Sequence, residues 1–584
     1  MSGAANSQPQ FRVLYRQFLF RVVDLEVLSS SAQGDANKLL GRFAALLVFI
    51  SGAFAFAAIM IGKNIPAGVF ANLKPSMEYV LIAMTMLAVG IFAVLSWDSI
   101  FPDRRDVMVL APLPVRARTM FLAKVSATAT ALGLVVVLLH CGAGLTWSFR
   151  FAPNLGFVSL ARAFGAYWLT MVAAGAFIYC AMRAVQGLAA QVLPRRVFLR
   201  VSGFMQTAVF CLFVCVYFFE PPVDSLKMLS APENQRALAW VPTYWFLGLV
   251  GQLNGSMPPA TSWLARRASL GLAIAVVAAA VAYGLSYVRT LRQIVEEPDI
   301  APGERRFKWL PGFGGGSQTA IGQFCVRTLG RSRQHRLIWA FYLGVGLACT
   351  ILLVQGLKEE MEMSGAAGSH LWHQANTPLL AASIMMMILA VVGLRVVLAF
   401  PLEMRANWVF RAVGIQDGPK VLRAQRRALA LLAVAPVWLV TAVVCLRLWP
   451  WEQAAAHLFC LALFGVMIVD AALYGFRKIP FTCSYLPGKT QVNVVIVASG
   501  LVLVAIVEQL VELEQEALQK LGTITEMVAL VGLAAAVMRW RTARARAEEE
   551  QLQFEEEDPA VLELGLYRDG VALGTRSPDP PSVS

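Results

Sequence analysis

The sequence has few charged residues and few histidines for its length. Charged side chains make up 15% of 584 residues and histidine occurs 5 times, whereas hydrophobic residues make up 58%. An ordinary globular domain is about 25% charged and at most about 50% apolar. The charges also cluster between long apolar runs. The composition therefore excludes an ordinary soluble domain and predicts an all-α, polytopic helical membrane protein.

Several signatures of chemistry are also missing. The cysteines lie in predicted apolar spans or inner loops, which predicts no disulfide framework. In LPGKT (486–490), Cys483 stands where a phosphate-binding loop has its first glycine, and no predicted strand precedes it. His370 and His373 lack a third convergent metal ligand. The chain is thus expected to have no catalytic residues, bound cofactor or metal, and not to be an enzyme.

The formal net charge of +14 would also suit a nucleic-acid-binding protein. However, the excess basic residues lie in short loops between apolar runs. The positive-inside rule and the attraction of anionic lipid headgroups account for basic residues at such places. The sequence therefore predicts the lipid bilayer as a partner and no nucleic acid.

Apolar runs of about twenty residues predict about twelve transmembrane helices. The predicted spans are 43–62, 78–97, 120–146, 163–184, 200–219, 268–288, 337–356, 378–400, 428–448, 454–475, 491–510 and 523–539. Basic clusters alternate with loops that are poorer in Lys and Arg, with Arg266 and Arg267 as the exceptions. This alternation predicts that both termini are cytoplasmic.

A polar linker divides these spans into two six-span halves. The linker contains GFGGGS (312–317), which suits an exposed connection. Each half is predicted to enter the membrane from the cytoplasmic side, as in a parallel repeat. The predicted units are an N-terminal segment with an amphipathic connecting helix (1–42), a first transmembrane half (43–290), a linker with a second connecting helix (291–336), a second half (337–540) and a charged, disordered tail (541–584).

The loop from Trp97 to Lys124, WDSIFPDRRDVMVLAPLPVRARTMFLAK, is the most informative stretch. It is longer than a plain connection between two spans requires. Its mixture of acidic, basic and apolar residues favours a docking surface. Pro112 and Pro114 predict a rigid turn after a short helix over 104–110. A cytoplasmic connection that is basic for topological reasons is the alternative, but it does not explain the interleaved aspartates.

An amphipathic helix is predicted over 11–28. It overlaps the segment LYRQFLFRVVDLEVLSSSAQGD (14–35). Arg12 and Arg16 lie off its apolar stripe. The stripe consists of Phe11, Leu14, Tyr15, Phe18, Val22 and Leu25. A helix lying on the inner leaflet is favoured, and a helix that binds a soluble partner is the alternative.

FPDRRDVMVLAPLPVRARTMFLAK resembles the loop after the second span in permease subunits of type-2 ABC exporters, and the 14–35 segment resembles their connecting helix. These two stretches carry most of the resemblance, which extends to the general layout of the chain. It implies a permease energised by a separate cytosolic ABC ATPase, in two copies, that binds ATP and Mg²⁺. The basic loops and the lack of external disulfides and of an organelle signal suit a bacterial inner membrane. It also implies that a short coupling helix in the loop touches this ATPase.

The resemblance assigns candidate coupling residues to the loop after the second span. They are Asp98, Phe101, Asp103, Arg104, Arg105, Asp106, Leu113, Arg116 and Arg118. The loop after span eight, 400–427, occupies the corresponding place in the second half. Its candidate residues are Glu403, Arg405, Trp408 and Arg411. The loop at 478–489 is either another contact with the ATPase or a tight turn.

Asp470 is the one acidic residue deep in a predicted span. His457 lies thirteen residues away on the same span, about 20 Å along a helix, which excludes a direct pair. Asp470 either lines a pathway or pairs with an arginine of another span. A pathway carboxylate would suit an ion-coupled secondary transporter, the main alternative function; a membrane scaffold or membrane enzyme is a further one. Arg183 and Arg395 lie near span ends and are expected to reach headgroups or water.

Overall fold

The computed structural model describes residues 7–23, 36–64, 67–97, 112–113, 115–152, 156–219, 234–256, 261–296, 312–364, 373–401, 407, 410, 418–474, 476, 478–482, 492–519 and 521–547. Within these residues the chain is 90% helical and contains no strand. The all-α prediction is therefore confirmed.

The first half contains a series of helices separated by turns and loops. They are α1 (Ser7–Val23), α2 (Ala36–Asn64), α3 (Ala67–Leu95), α4 (Ala117–His140), α5 (Ala143–Arg150), α6 (Phe157–Val192), α7 (Arg195–Phe219), α8 (Gln235–Trp240), α9 (Pro242–Asn254) and α10 (Ser262–Glu296). The ends of α9 follow from its sequence. Pro242 has a φ suited to a first helical turn, and Gly255 ends the helix with a φ of 76°, which favours glycine.

The second half contains a comparable series. Its helices are α11 (Gly316–Arg331), α12 (Arg333–Ser364), α13 (Thr377–Ala399), α14 (Gly418–Leu429), α15 (Ala435–Leu448), α16 (Trp451–Ala472), α17 (Val492–Gln519) and α18 (Leu521–Ala547). At the start of α13 the Asn376 side chain accepts a hydrogen bond of 3.0 Å from the Leu379 amide. This is an N-cap, and Pro401 follows shortly after the helix ends.

A π-helical turn, Ala430–Val434, joins α14 to α15. Pro436 follows it and has no amide hydrogen, so the α-helical bond to the carbonyl four residues earlier cannot form. A π turn accommodates such an interruption within a continuous helix. Gly465 of α16 lies beside this turn, where a Cβ atom would be 2.8 Å from the Val434 Cγ1 atom. The widened turn therefore packs against a residue without a side chain.

Ten helices in the described residues are long and apolar enough to cross a membrane. They cover Ala44–Ile61, Leu73–Leu95, Arg118–His140, Phe157–Val192, Val201–Phe218, Ser262–Ser286, Arg333–Lys358, Thr377–Ala399, Pro419–Leu448 and Trp451–Ala472. This is a multi-pass membrane protein. The last two predicted spans overlap α17 and α18, which carry additional charges such as Glu508, Glu512 and Arg539. The count of twelve therefore stays a prediction.

Buried apolar side chains form two clusters. One draws on the helices from α1 to α10 with three residues of α12, and the other draws on helices from α11 to α18. The most enclosed spans are α3 and α13, whose apolar segments are 67% and 78% buried, against 17% for α2. Two cores on either side of the linker are consistent with the predicted division of the chain into halves.

Several helix contacts of the first half recur in the second. In the first half α3 packs against α6 and α7, α6 against α10, and α1 against α4. At the corresponding places α13 packs against α16 and α17, α16 against α18, and α11 against α14. The halves differ at their first spans, since α2 packs on α4 and α5 whereas α12 packs on α13 and α7. The layout is therefore an approximate repeat.

The amphipathic helix α1 lies against the third span. Leu14 and Phe18 of its apolar stripe are buried, and the Lys124 ammonium of α4 lies 5.2 Å from the centre of the Phe18 ring. The Tyr15 hydroxyl also donates to Thr130 Oγ1 at 3.0 Å. Part of the stripe predicted to lie on the inner leaflet thus packs against protein.

The two halves meet along α7 and α12, a contact that we call the seam. The two helices run in parallel: Gly203 lies beside Arg336, Phe210 beside Gly344, and Phe218 beside Gln355. A Cβ atom on Gly344 would be 2.8 Å from the Phe210 ring. The Gln355 Nε2 atom donates to the Phe218 carbonyl at 2.8 Å. Close helix approach at glycine and a side-chain hydrogen bond join the halves.

Candidate functional site

Most of the predicted coupling residues lie outside the described residues. Asp98, Phe101, Asp103, Arg104, Arg105 and Asp106 do so in the first half, and Glu403, Arg405, Trp408 and Arg411 do so in the second. Leu113, Arg116 and Arg118 are described, and all three are exposed. The Arg116 carbonyl accepts the first hydrogen bond of α4, from the Thr119 amide at 2.9 Å. This far end of the loop is therefore accessible to a partner.

The near end of the loop is held by an arginine of another span. Helix α3 ends at Leu95, just before the loop, so its last carbonyl groups have no partners within the helix. The Arg183 guanidinium on α6 supplies donors to three carbonyl groups at and just beyond the end of this helix. They belong to Ala93, Ser96 and Trp97, at 3.2, 3.0 and 3.2 Å. A cation at a helix C-terminus also interacts favourably with the helix dipole.

Two glutamine side chains complete this arrangement. Gln186 on α6 donates to the Trp97 carbonyl at 2.6 Å, and Gln206 on α7 donates to the Val94 carbonyl at 2.6 Å. The Trp97 indole, which is 1% exposed, donates to Ser202 Oγ on α7 at 3.0 Å. We call residues 93–97 with Arg183, Gln186 and Gln206 the loop root. It fixes the start of the loop to two further spans.

The loop root is also joined to the second half. The Gln206 side-chain oxygen accepts a hydrogen bond from the Arg333 Nε atom at the start of α12. One glutamine therefore bridges the end of α3 and the first span of the other half. The bonds from the loop root to α6 and α7 are buried, and such bonds are costly to break when their groups stay out of water.

The position of Arg183 corrects a sequence-based expectation. Instead of reaching headgroups or water, it is 6% exposed. Its guanidinium also bonds Gln186 Oε1 at 2.8 Å. Sequence reasoning did not single out Gln186 or Gln206. The available signal was that Arg183 and Gln186, three residues apart, share one face of an otherwise apolar helix.

Asp470 lies in the second half and pairs with arginines of two other helices. Its carboxylate oxygens lie 2.6 Å from Nε of Arg426 on α14 and 2.6 Å from Nε of Arg539 on α18. The Asp470 side chain is 1% exposed, whereas those of Arg426 and Arg539 are 26% and 47% exposed. Of the two roles that the sequence left open, the structure shows pairing with arginines. The aspartate joins three helices.

The Asp470→Asn substitution is expected to loosen this three-helix contact. It removes the charge that faces two guanidinium groups and should lower the free energy of unfolding by about 1.5–3 kcal/mol, the range for a hydrogen bond to a charged group. Thermal unfolding of the purified protein in detergent measures the loss. Glu508→Gln, on an exposed residue of α17, is the control. Equal stability of the two variants would contradict a structural role for Asp470.

A second buried polar cluster lies near the opposite end of α16. His457 Nδ1 is 2.6 Å from Glu514 Oε1 on α17, and both side chains are fully enclosed. His457 Nε2 is 3.2 Å from Ser383 Oγ on α13. Glu514 belongs to the 511–522 stretch, between the last two predicted spans. The structure continues α17 through most of that stretch and turns this carboxylate into the protein.

The first half also contains a buried histidine, but its partners are neutral. His140 on α4 lies 2.8 Å from Thr85 Oγ1 on α3 and 2.7 Å from the Tyr167 hydroxyl on α6. Each half thus has one imidazole bonded to a hydroxyl on its second predicted span. Only the cluster in the second half contains a carboxylate, and this distinguishes the two.

Comparison with known proteins leaves the family of this chain open. No family model, curated protein or solved structure matches it. The structural findings are a multi-pass helical membrane protein, a loop root that joins α3, α6 and α7 and links them to α12 of the second half, and two buried clusters in the second half that each contain a carboxylate.

Proposed function

We propose that this chain is the membrane-spanning permease of an ATP-driven exporter whose ATPase is a separate cytosolic subunit. The loop root is the observation that carries the proposal. A coupling loop can transmit force only if its ends are fixed to the spans that must move. Arg183, Gln186 and Gln206 fix the start of this loop to α6 and α7, and Arg333 links it to the second half.

The recurring helix contacts support the same proposal. Two halves with similar internal packing, joined along the seam, provide two units that can move against each other. The substrate would leave between them. ATP and Mg²⁺ would bind to the ATPase, in two copies, and the charged residues of the loop would provide specific pairing with it while apolar residues provide contact area. The proposed location is a bacterial inner membrane.

The first experiment compares proteins that co-purify with the wild-type chain and with the Arg104→Glu/Arg105→Glu variant after gentle solubilisation in detergent. We expect an ABC ATPase with the wild type and its loss from the variant, because reversing two charges in a complementary interface costs several kcal/mol. Mass spectrometry identifies the partner. Arg447→Glu on α15, which reverses an exposed charge outside the candidate coupling loops, is the matched control.

A wild-type protein that brings down no ATPase would contradict the proposal. That result would favour an ion-coupled secondary transporter, an alternative that one structural observation supports. The His457–Glu514 pair is a fully buried, ionisable pair within the helical core, and ionisable residues inside membranes often mark ion or proton pathways. Proton-dependent transport by liposomes containing the purified chain alone would then be the deciding measurement.

A further inference from the structure

The seam has a one-sided charge distribution. Neither 195–219 of α7 nor 333–358 of α12 contains an Asp or Glu. Because the helices run in parallel, their first turns lie at the same end of the seam, which we call the basic end. Its arginines are Arg195, Arg196, Arg200, Arg333 and Arg336. The charge pattern of the chain assigns this end to the cytoplasmic side.

Arg336 is enclosed at the basic end. The residue is 9% exposed, and its guanidinium carbon lies 4.4 Å from the centre of the Phe204 ring of α7. Its Nη1 atom donates to the Gly330 carbonyl, and its Nε atom is buried without a hydrogen-bond acceptor. Basic residues at cytoplasmic helix ends are ordinary when they are solvated. A nearly buried guanidinium beside a second arginine, Arg333, is costly.

The position of Arg336 in its helix makes an anion still more favourable. Arg336 lies in the first turn of α12, where the helix dipole is positive, and its guanidinium reaches the last turn of α11, where the dipole is negative. Free amide groups and a positive dipole make a helix N-terminus attractive to phosphate. An anion at this place would offset the charge of Arg336, offer an acceptor to its Nε atom and interact favourably with the helix dipole.

The outer surface beside the basic end is apolar. Phe204 of α7 is 54% exposed, and Phe341, five residues beyond Arg336 on α12, is 55% exposed. Farther along α7, Leu212 is 63% exposed. These side chains would face lipid in a membrane. A ligand that satisfies both features therefore has an anionic head and an apolar tail.

We propose that the basic end of the seam binds the phosphate-bearing headgroup of an inner-leaflet amphiphile, with Arg336 as its principal contact and the acyl chains along Phe204 and Phe341. The inference rests on the proposed function in one respect. In a permease whose substrate leaves between the halves, an amphiphile held at their seam defines the substrate class as anionic and lipid-like. Binding itself requires no ATPase.

The test measures lipid binding to the purified full-length chain by native mass spectrometry. Phosphatidylglycerol and phosphatidylcholine with identical acyl chains are titrated separately. We expect phosphatidylglycerol to bind roughly tenfold more tightly, which corresponds to about 1.4 kcal/mol. Arg336→Gln should abolish this preference. Arg423→Gln, which removes an exposed charge from α14, should retain it.

A charge-conserving variant tests the geometry separately. A Cβ atom on Gly203 would overlap the Nη2 atom of Arg336. Gly203→Ala should therefore displace the guanidinium and weaken phosphatidylglycerol binding several-fold, while the net charge stays the same. Size-exclusion profiles matching the wild type establish that both seam variants are folded. If Arg336→Gln is not folded, Gly203→Ala alone decides, and retention of the full preference in that variant overturns the site.

Three further results would overturn the proposal. One is an unchanged preference for phosphatidylglycerol in folded Arg336→Gln, and another is equal losses in Arg336→Gln and Arg423→Gln, which would indicate general electrostatic attraction. The third is displacement of the lipid by millimolar inorganic phosphate, which would show a site for the free anion. Because the ATPase is absent from this assay, its outcome is independent of the co-purification result.

Discussion

Replacing His457 by leucine is expected to lower the free energy of unfolding by about 3–5 kcal/mol, the cost of removing one partner of a buried ion pair. The imidazole and the Glu514 carboxylate are both fully enclosed and lie 2.6 Å apart. Without His457, Glu514 Oε1 loses its partner inside the protein, where Oε2 already has no hydrogen-bond partner. A buried carboxyl group left without partners is costly. Unfolding of the purified protein in detergent, followed by circular dichroism, measures the loss.

The first half provides a matched control for this prediction. His140 is buried to 1% exposure, but its partners Thr85 and Tyr167 are neutral. His140→Leu should therefore cost less, about 1–3 kcal/mol for the polar groups left without partners. The double variant His457→Leu/Glu514→Leu should recover much of the stability lost in the single one. A loss in His457→Leu no greater than in His140→Leu would show that the pair is not ionic.

The fold class follows from the sequence because the membrane imposes a simple rule. Backbone groups in lipid must bond within their own helix or a closed barrel, so a run of about twenty apolar residues becomes a spanning helix. Ten such helices are present at the predicted places. The rule is less informative where charges interrupt the run. α17 carries Glu508, Glu512 and Glu514, and only the folded structure shows that Glu514 faces inward while Glu508 is exposed.

The loop root could not be derived from the sequence for a related reason. Sequence position placed Arg183 near a span end, where arginine side chains usually extend towards water. The direction of this side chain depends on the end of α3, almost ninety residues earlier in the sequence. Carbonyl groups at that end accept hydrogen bonds from the Arg183 guanidinium. Periodicity shows which residues share a helix face but does not show which neighbour that face meets. The same holds for Asp470, because the sequence does not show that Arg426 and Arg539 lie beside it.

Replacing Arg183 by methionine is expected to separate binding of the proposed ATPase subunit from its coupling to the permease. Methionine fills much of the same apolar space but leaves the carbonyl groups of Ala93, Ser96 and Trp97 without their charged donor. We expect a loss of about 1–3 kcal/mol in the free energy of unfolding and a looser start of the loop. The loop sequence is unchanged, so the ATPase should still co-purify. ATP hydrolysis by this ATPase should lose the dependence on the permease that we expect of the wild-type complex.

Arg395→Met is the control, because Arg395 also caps a helix end. Its Nε atom donates to the Ala472 carbonyl of α16 at 2.6 Å, a contact in the second half that does not involve the loop root. Coupled ATP hydrolysis should persist in that variant. If Arg183→Met and Arg395→Met affect hydrolysis equally, Arg183 has only a structural role. If Arg183→Met retains full coupling at a reduced stability, force does not pass through the loop root, and the far end of the loop at Arg116 and Arg118 becomes the remaining route.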